Sequence, residues 1–366
     1  MSSHGTPPAA PAHEPGIEPS PTFWPNLLMR LAAHESLTSG EAAEAMRAIM
    51  QGQAGQAQLG GFLMALRTKG ETADELAALV RAMLRFGTAV DVPDGAIDTC
   101  GTGGDRSGTV NVSTMAALIA AGAGARVVKH GNRAQSSQSG SADVFEALGV
   151  AIDLGPVGVA RCVEEAGVGF CFAPRYHPAM RFLGPARKAL GVPTTFNFLG
   201  PLANPARVRR QAVGVSDPAM AATMLGTLRA LGTERAMVFS GDDGLDELTT
   251  TTTSTVHELI DGDLHEFKID PLDVGIARSD AAHLCGGDAA MNAGVLRGVL
   301  AGDPGPCRDI AVLNAAAALM VAGKASDLEA GVEMAIESVD SGAANRALDA
   351  LVRVSQAERA VEQESA

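Results

Sequence analysis

Two short strand-like runs, each followed by a loop rich in glycine and small polar residues, constrain the fold of this chain more than any other stretch. The runs lie near 96–100 and 126–129, and the loops occupy residues 100–114 and 129–141. Glycine permits tight turns and a close approach of backbone to ligand. An alanine-rich run over 113–124 predicts a helix between them. The stretch is therefore expected to form successive strand, loop and helix units.

Both loops carry groups that suit a ligand with several phosphates. NVST at 111–114 opens the predicted helix, where capping residues are common and free N–H groups favour an anion. The second loop adds the cations Lys129 and Arg133, the amide of Asn132 and several hydroxyls. We therefore predict a polyphosphate site. A pair of ordinary capped turns is the alternative, because the first loop matches neither the dinucleotide-binding nor the P-loop pattern.

Composition and charge exclude several classes of protein. The 366 residues suffice for two domains, and 28 Lys+Arg against 42 Asp+Glu give a net charge of −14. Such a surface repels nucleic acid and anionic membranes, so we expect neither as a partner. The five cysteines are scattered without a C-x-x-C pair, which predicts reduced thiols in a cytoplasmic protein. No apolar run reaches the roughly 18 residues of a membrane span.

The first quarter of the chain is predicted to be a tail followed by helices. Residues 1–21 contain six prolines and are expected to be disordered. From 22 to 92 the pattern is helical, with capping boxes at Thr38–Glu41 and Thr72–Glu75. These helices have too few neighbours to bury all their apolar faces. They must pack on another domain or on a second copy.

From residue 96 onward, strands alternate with helices, which predicts an α/β domain with a largely parallel sheet. A hairpin is expected over 254–269, around Asp261-Gly262, and 177–203 is expected to lack strands. The predicted strands lie near 96–100, 126–129, 168–172, 211–215 and 235–240, and the predicted helices near 113–124, 140–148, 156–167, 218–231, 287–301, 307–322 and 326–350.

A cluster of carboxylates follows one of these strands. GDDGLDE at 241–247 comes directly after the apolar run 236–239, and ligands in open α/β sheets bind at the carboxyl ends of strands. Oxygen ligands beside a phosphate site suggest Mg²⁺. An exposed acidic turn is the alternative that the residues alone leave open.

Several long motifs identify the chain as resembling the anthranilate phosphoribosyltransferase family. They are CGTGGD, NVST and KHGNRAQSSQSGSADVFEALG, then FCFAPRYHPAMRFLGPARKALGVPTTFNFLGPLANPAR at 170–207 and GDDGLDELTTTTTSTV at 241–256. The resemblance covers nearly all of the chain after residue 20. It implies a nucleoside-phosphorylase-like architecture, with a small helical domain (22–92 and 176–204) and a larger α/β domain (93–175 and 205–366). The active site would lie in the cleft between them.

The resemblance also implies roles for individual residues. Anthranilate would be held by Gly101, Asn132 and Arg187, with His177 a weaker candidate. Mg²⁺, expected as two ions per site, would be held by Ser113, Asp246 and Glu247. A homodimer through the helical domain is expected. The residues predicted to bind 5-phosphoribosyl 1-diphosphate are Gly101, Gly104, Asp105, Thr109, Asn111, Val112, Ser113, Thr114, Lys129, His130, Gly131, Asn132, Arg133, Ala134, Gln135, Ser136, Ser137 and Ser141.

The reaction implied is transfer of the phosphoribosyl group of 5-phosphoribosyl 1-diphosphate to the amino group of anthranilate, in tryptophan biosynthesis. Two alternatives remain. A pyrimidine nucleoside phosphorylase of the same fold would not need an Asp-Glu metal pair. A non-catalytic relative that binds nucleic acid conflicts with the net charge of −14.

Overall fold

The computed structural model describes residues 18–134 and 138–365. The predicted tail therefore lies largely outside the described residues. The strands are β1 (Asp98–Gly101), β2 (Val127–Gly131), β3 (Val168–Phe172), β4 (Arg210–Gly214), β5 (Arg235–Gly241), β6 (Ser254–Ile260) and β7 (Asp263–Ile269). The helices are α1 (Phe23–Ala32), α2 (Ser39–Met50), α3 (Gln56–Lys69), α4 (Ala73–Arg85), α5 (Val112–Gly122), α6 (Ser141–Ala147), α7 (Pro156–Ala166), α8 (Ala173–Tyr176), α9 (Gly184–Leu190), α10 (Phe196–Leu202), α11 (Ala221–Leu231), α12 (Ala289–Leu300), α13 (Pro306–Val321), α14 (Leu328–Asp340) and α15 (Ala343–Glu364).

Helices α1–α4 form a bundle whose starts follow the predicted capping signals. Thr38 and Thr72 each accept a hydrogen bond from the backbone N–H of the glutamate three residues later, and each glutamate accepts one in return. Both predicted capping boxes are thus confirmed. On α4 the apolar residues Leu76, Leu79 and Val80 are fully buried, as expected for one face of an amphipathic helix.

One apolar cluster joins this bundle to α9, α10 and the sheet. Leu183, Phe196 and Leu199 belong to it, and so do Val213 on β4 and Met224 on α11. The segment 177–203 contains no strand, as predicted. Because burial of apolar side chains is the main favourable term in folding, this shared cluster fixes the bundle against the sheet.

The main sheet has five strands in the order β1-β4-β5-β6-β7. β1, β4 and β5 are parallel, while β5, β6 and β7 pair antiparallel. The predicted hairpin over 254–269 is confirmed, with Asp261 and Gly262 both at positive φ in its turn. β2 and β3 form a separate parallel pair, linked to β1 through the bridge between Ile97 and Val127. The five predicted parallel strands agree with the structure to within about two residues.

The α/β part has its own core around α5 and α13. Both helices are buried on most sides, and alanine occupies much of their contact surface, for example Ala116, Ala117 and Ala315. Small side chains allow helices to approach closely, so a core poor in aromatic residues still packs densely. In the described part of the chain, no helix is long and apolar enough to cross a membrane.

The prediction of one helix over 326–350 is wrong. The chain forms α14, which ends at Asp340, and then α15, which begins at Ala343 and continues to Glu364. Gly342 between them adopts a left-handed conformation with φ of 73°, which a continuous α-helix does not allow. The apolar pattern continued through the break and concealed it.

The carboxyl ends of the parallel strands meet at one edge. β1, β4 and β5 end at Gly101, Gly214 and Gly241, and β2 ends beside them at Gly131. The loops that follow therefore converge, as expected for an open α/β sheet.

Candidate active site

A cavity of about 1050 Å³ lies where these loops face α9 and α10. It brings together every predicted site residue that the structure describes. Gln135, Ser136 and Ser137 lie outside the described residues. The predicted residues that line the cavity are Gly101, Gly104, Asp105, Thr109, Asn111, Val112, Ser113, Thr114, Lys129, His130, Gly131, Asn132, Arg133, Ala134, Ser141, His177, Arg187, Asp246 and Glu247.

The first glycine-rich loop turns through several left-handed residues. Gly103, Gly104 and Gly108 all have positive φ, a backbone conformation that favours glycine. Arg106 has φ of 58° without being glycine. The loop ends at Asn111, the N-cap of α5, whose side chain does not cap the helix. Its amide instead contacts Asn292 and the Ser139 carbonyl.

Two acidic side chains accept hydrogen bonds from backbone N–H groups of this loop and of the first turn of α5. Asp246 accepts a hydrogen bond from the Gly103 N–H at 2.7 Å, and Glu247 accepts one from the Ser113 N–H at 3.1 Å. Gly101 and Gly214 must be glycine here, because a Cβ at either position would overlap Asp246. The close packing of two glycines on one aspartate fixes the acidic pair against the phosphate loop.

Burial makes this acidic pair costly to ionise. Burial, together with the charge of nearby Asp105, raises the pKa of Asp246 to about 8. Burial and the adjacent Asp246 raise the pKa of Glu247 well above its usual range. Two carboxylates in such a place require a compensating positive charge. By contrast, Asp242 of the same loop points outward to Thr253, Thr255 and Lys268.

Lys129 provides a fixed positive charge at the base of the cavity. Its side chain is buried and donates to the Thr99 carbonyl at 2.6 Å and to the Ser113 Oγ at 3.0 Å. The Lys129 charge also lowers the pKa of Glu247, against the larger effect of burial. This lysine therefore links the second glycine-rich loop to the start of α5.

The rest of the second loop is held by α6. Arg133 pairs with Asp143 and Glu146, and its guanidinium lies 5.7 Å from the centroid of the Phe172 ring. Asp143 also accepts from the backbone N–H groups of Ala134 and Gly140. The Arg133 side chain is thus engaged with the outer wall. Its predicted role in phosphate binding stays a prediction.

The opposite wall of the cavity carries Arg187 on α9. Burial lowers the pKa of its guanidinium, and one terminal nitrogen lies 3.4 Å from the Asn197 Oδ1. The same oxygen accepts the Thr194 N–H at 3.0 Å. A partly buried cation on this wall suits a carboxylate ligand.

Two buried histidines lie beside this wall and are both neutral. His130 Nδ1 is 3.1 Å from the Gly200 carbonyl, and His177 Nε2 is 2.9 Å from the Ala203 carbonyl. A carbonyl only accepts, so these nitrogens carry the protons. The other nitrogen of each ring has no hydrogen-bond partner among the described residues. Burial lowers the pKa of His130 to about 3 and that of His177 to about 4.

Sequence reasoning missed the groups that support these walls. Asp98 is fully buried and accepts hydrogen bonds from the His130 N–H and from Asn204 Nδ2. Asn197 contacts Arg187 from α10. Neither position belongs to a recognisable catalytic or binding motif, since Asp98 precedes the glycine-rich loop and Asn197 lies between two phenylalanines. A polar residue within an apolar run was the one clue available.

Family models match both parts of the chain. Residues 94–345 match the model described as "Glycosyl transferase family, a/b domain", and residues 25–87 match "Glycosyl transferase family, helical bundle domain". The chain is 54% identical over 331 residues to an anthranilate phosphoribosyltransferase of Nocardioides sp., covering 89% of this chain and 97% of that one. It is 52% identical over 331 residues to the Azorhizobium caulinodans protein of the same name, covering 90% and 96%.

Solved structures with the same name have the same fold. The Thermus thermophilus protein superposes with a TM-score of 0.86 at 40% identity, covering 90% of this chain and 99% of that one. The Saccharomyces cerevisiae protein in complex with PRPP and Mg gives a TM-score of 0.85 at 27% identity, covering 92% and 99%. The same yeast protein with 4-fluoroanthranilate gives 0.82 at 26% identity, again covering 92% and 99%.

Proposed function

The chain belongs to the anthranilate phosphoribosyltransferase family, and from that premise we propose how its own residues carry out the reaction. The family transfers the phosphoribosyl group of 5-phosphoribosyl 1-diphosphate to the amino group of anthranilate, giving N-(5-phosphoribosyl)anthranilate and diphosphate in tryptophan biosynthesis. The names of the relatives support this reading over the pyrimidine nucleoside phosphorylase alternative.

The cavity has two walls of different chemistry, and this difference supports dividing it into two substrate sites. The glycine-rich loops, Lys129 and the Asp246–Glu247 pair form one wall, while Arg187 and Asn197 face them from the helical side. We assign the first wall to the phosphates and ribose, and the second to the anthranilate carboxylate. We assign Asn132 to contact with anthranilate and Gly101 to the point where the two substrates meet.

Asp246, Glu247 and Ser113 fit Mg²⁺ by their chemistry. Two buried carboxylates and a hydroxyl stand beside the predicted phosphate site, and Mg²⁺ usually takes one or two carboxylates together with substrate phosphates. The yeast relative has a solved structure in complex with PRPP and Mg. We propose two ions per site, because Asp246 faces the first loop and Glu247 faces the start of α5. Bound Mg²⁺ would neutralise charge on the departing diphosphate.

The protein's own part in the reaction is to position the substrates and to stabilise the leaving group. The amino nitrogen of anthranilate attacks C1 of the ribose as the C1–O bond to diphosphate breaks, with inversion at C1, and the nitrogen then releases one proton to solvent. An aromatic amine is already a usable nucleophile, so a strong base is not required. Holding the acceptor in line and stabilising the leaving group supplies the rate enhancement.

A homodimer through the helical bundle is part of the proposal. Met29 on α1 has 73% of its surface exposed, and the adjacent Leu28 is only partly covered. Gly60 on α3 has open space where a side chain would be. Met29 and Leu28 thus offer apolar surface on which a second copy could pack, and the open space at Gly60 would allow close approach to α3. The five cysteines are free thiols, three of them buried, which supports the proposed cytoplasmic location.

The direct test mixes the protein with 5-phosphoribosyl 1-diphosphate, anthranilate and Mg²⁺ and follows loss of anthranilate fluorescence. We expect depletion only when all three are present. Two control assays should give no turnover. In one, a pyrimidine base replaces anthranilate; in the other, a pyrimidine nucleoside and inorganic phosphate replace 5-phosphoribosyl 1-diphosphate. Nucleoside cleavage without anthranilate consumption would overturn the assignment.

A further inference from the structure

Arg67 on α3 connects three separate parts of the fold. One terminal nitrogen donates to Glu71 Oε2 at 3.2 Å, and the other pairs with Asp217 in the turn after β4. Its guanidinium also lies 5.1 Å from the centroid of the Phe198 ring on α10. Glu71 is four residues away in the sequence, whereas Asp217 is 150 residues away. The side chain therefore bridges the helical bundle and the sheet.

Through Glu71, Arg67 reaches the acceptor wall. The Glu71 carboxylate is fully buried and accepts a hydrogen bond from Thr195 Oγ1 at 2.5 Å. Thr195 directly precedes α10, whose first residues Phe196 and Asn197 line the cavity. Asn197 in turn contacts Arg187. Arg67 is thus two hydrogen bonds from Thr195, which precedes the helix whose Asn197 contacts the predicted anthranilate-binding residue Arg187.

Through Asp217, Arg67 reaches the phosphate wall. Asp217 follows Ser216, whose backbone N–H donates to Thr102 Oγ1 at 3.1 Å. The Ser216 hydroxyl donates to the Gly103 carbonyl at 2.8 Å. Both contacts hold the loop in which Gly103 meets Asp246. The guanidinium therefore connects to both walls of the cavity while touching neither substrate site itself, since Arg67 does not line the cavity.

We infer that Arg67 is a positioning residue that fixes the distance between the acceptor wall and the phosphate wall. The inference rests on the proposed function, because it concerns how the two substrates are aligned. A planar guanidinium holds two carboxylates in one fixed geometry, whereas an ammonium on its flexible stem holds them less rigidly. A displacement of about 1 Å between reacting groups can lower a rate by roughly a hundredfold.

The decisive experiment asks whether Thr195 and Asp217 are energetically coupled through Arg67. Thr195→Val and Asp217→Asn are made singly and together in the wild-type protein. The same set is made in an Arg67→Gln/Glu71→Gln background, which removes the cation without leaving a buried unpaired carboxylate. For each protein, kcat, KM for both substrates, the dissociation constant of 5-phosphoribosyl 1-diphosphate and the free energy of unfolding are measured.

We expect Arg67→Gln/Glu71→Gln to lower kcat by about 10- to 100-fold, while binding of 5-phosphoribosyl 1-diphosphate alone changes by less than about threefold. In the wild-type background, the effects of Thr195→Val and Asp217→Asn on kcat should be non-additive by at least about threefold. In the altered background they should be additive. Arg47→Gln is the matched control, because its partners Glu44, Gln51 and Gln53 all lie within or just after α2.

Two results would overturn the inference. One is additivity of Thr195→Val and Asp217→Asn on kcat in the wild-type background. The other is a kcat in the Arg67→Gln/Glu71→Gln protein equal to that of Arg47→Gln, whatever its stability. A wild-type protein that fails to consume anthranilate would instead contradict the proposed function, so the two failures are distinguishable.

Discussion

The Oδ2 atom of Asp246 lies 2.7 Å from the backbone nitrogen of Gly103 and accepts its hydrogen bond. The contact joins the acidic loop after β5 to the glycine-rich loop after β1, across 143 residues of sequence. It places a carboxylate with a raised pKa at the point where we expect the diphosphate. A diphosphate and its cation that bind here must therefore either replace this hydrogen bond or bind beside it.

The first prediction concerns the acidic pair. Asp246→Asn/Glu247→Gln should lower turnover by at least about a hundredfold at saturating Mg²⁺, because the charge that would hold the metal is removed. The fold should persist, since neutral amides remove a buried repulsion. Steady-state kinetics across a Mg²⁺ series, with circular dichroism as the check on folding, measures this.

Asp242→Asn is the matched control for the acidic pair. Asp242 belongs to the same loop but bonds to Thr253, Thr255 and Lys268 on the outer side. Its replacement should leave the Mg²⁺ dependence unchanged. Turnover of the double variant near the wild-type level at limiting Mg²⁺ would show that the metal is held elsewhere.

The second prediction concerns Arg187. Arg187→Ala should lower kcat/KM for anthranilate by roughly 10- to 100-fold, as expected for loss of a charge-assisted contact worth about 1.5–3 kcal/mol. Binding of 5-phosphoribosyl 1-diphosphate alone, followed by calorimetry, should change little. The adjacent exposed Lys188, which does not line the cavity, provides the control Lys188→Ala. Equal losses for both substrates would place Arg187 in the phosphate site.

The third prediction concerns the two neutral histidines. Burial lowers the pKa of His130 to about 3 and of His177 to about 4, whereas the unfolded chain titrates near 6.5. Between those values the unfolded state binds more protons, so the free energy of unfolding falls as the pH falls below about 6.5. Between pH 7 and pH 4, the wild-type protein should lose roughly 3 kcal/mol more free energy of unfolding than His177→Gln. The glutamine amide can still donate to the Ala203 carbonyl.

Urea unfolding at pH 7 and at about pH 4 measures this difference. His34, which is exposed at the end of the first helix, supplies the control His34→Gln. If wild type and His177→Gln lose the same stability over that interval, His177 is not held neutral by burial.

The fourth prediction concerns assembly. We expect a homodimer mass in solution at micromolar concentration, and Met29→Glu should shift it toward the monomer by burying a charge in an apolar contact. Analytical ultracentrifugation across a dilution series measures the change. Val361→Glu on α15, where Val361 is 56% exposed, is the control outside the bundle. Removing residues 1–20 should not change the oligomeric state. A wild-type monomer at these concentrations would contradict the proposal.

Local patterns in the sequence predicted most helices and strands and many of the residues that line the cavity. The capping boxes at Thr38 and Thr72, the hairpin turn at Asp261-Gly262 and the strands feeding both glycine-rich loops depend on a few neighbouring residues. Such signals persist in the fold because they act over one turn or one strand. The sequence did not predict the boundary between α14 and α15, because the apolar spacing continues across it. The break depends on one glycine, Gly342.

The sequence alone thus determined the fold class, the two donor-rich loops and the chemical types of the side chains that line the cavity. Only the tertiary structure decided which distant groups meet: Asp246 with Gly103, Lys129 with Ser113, and Arg67 with both Glu71 and Asp217. The physical reason is range. Capping, turns and helical periodicity are set by residues within about one turn. The partner of a buried charge is set by packing between elements far apart in the chain, and no local pattern records it.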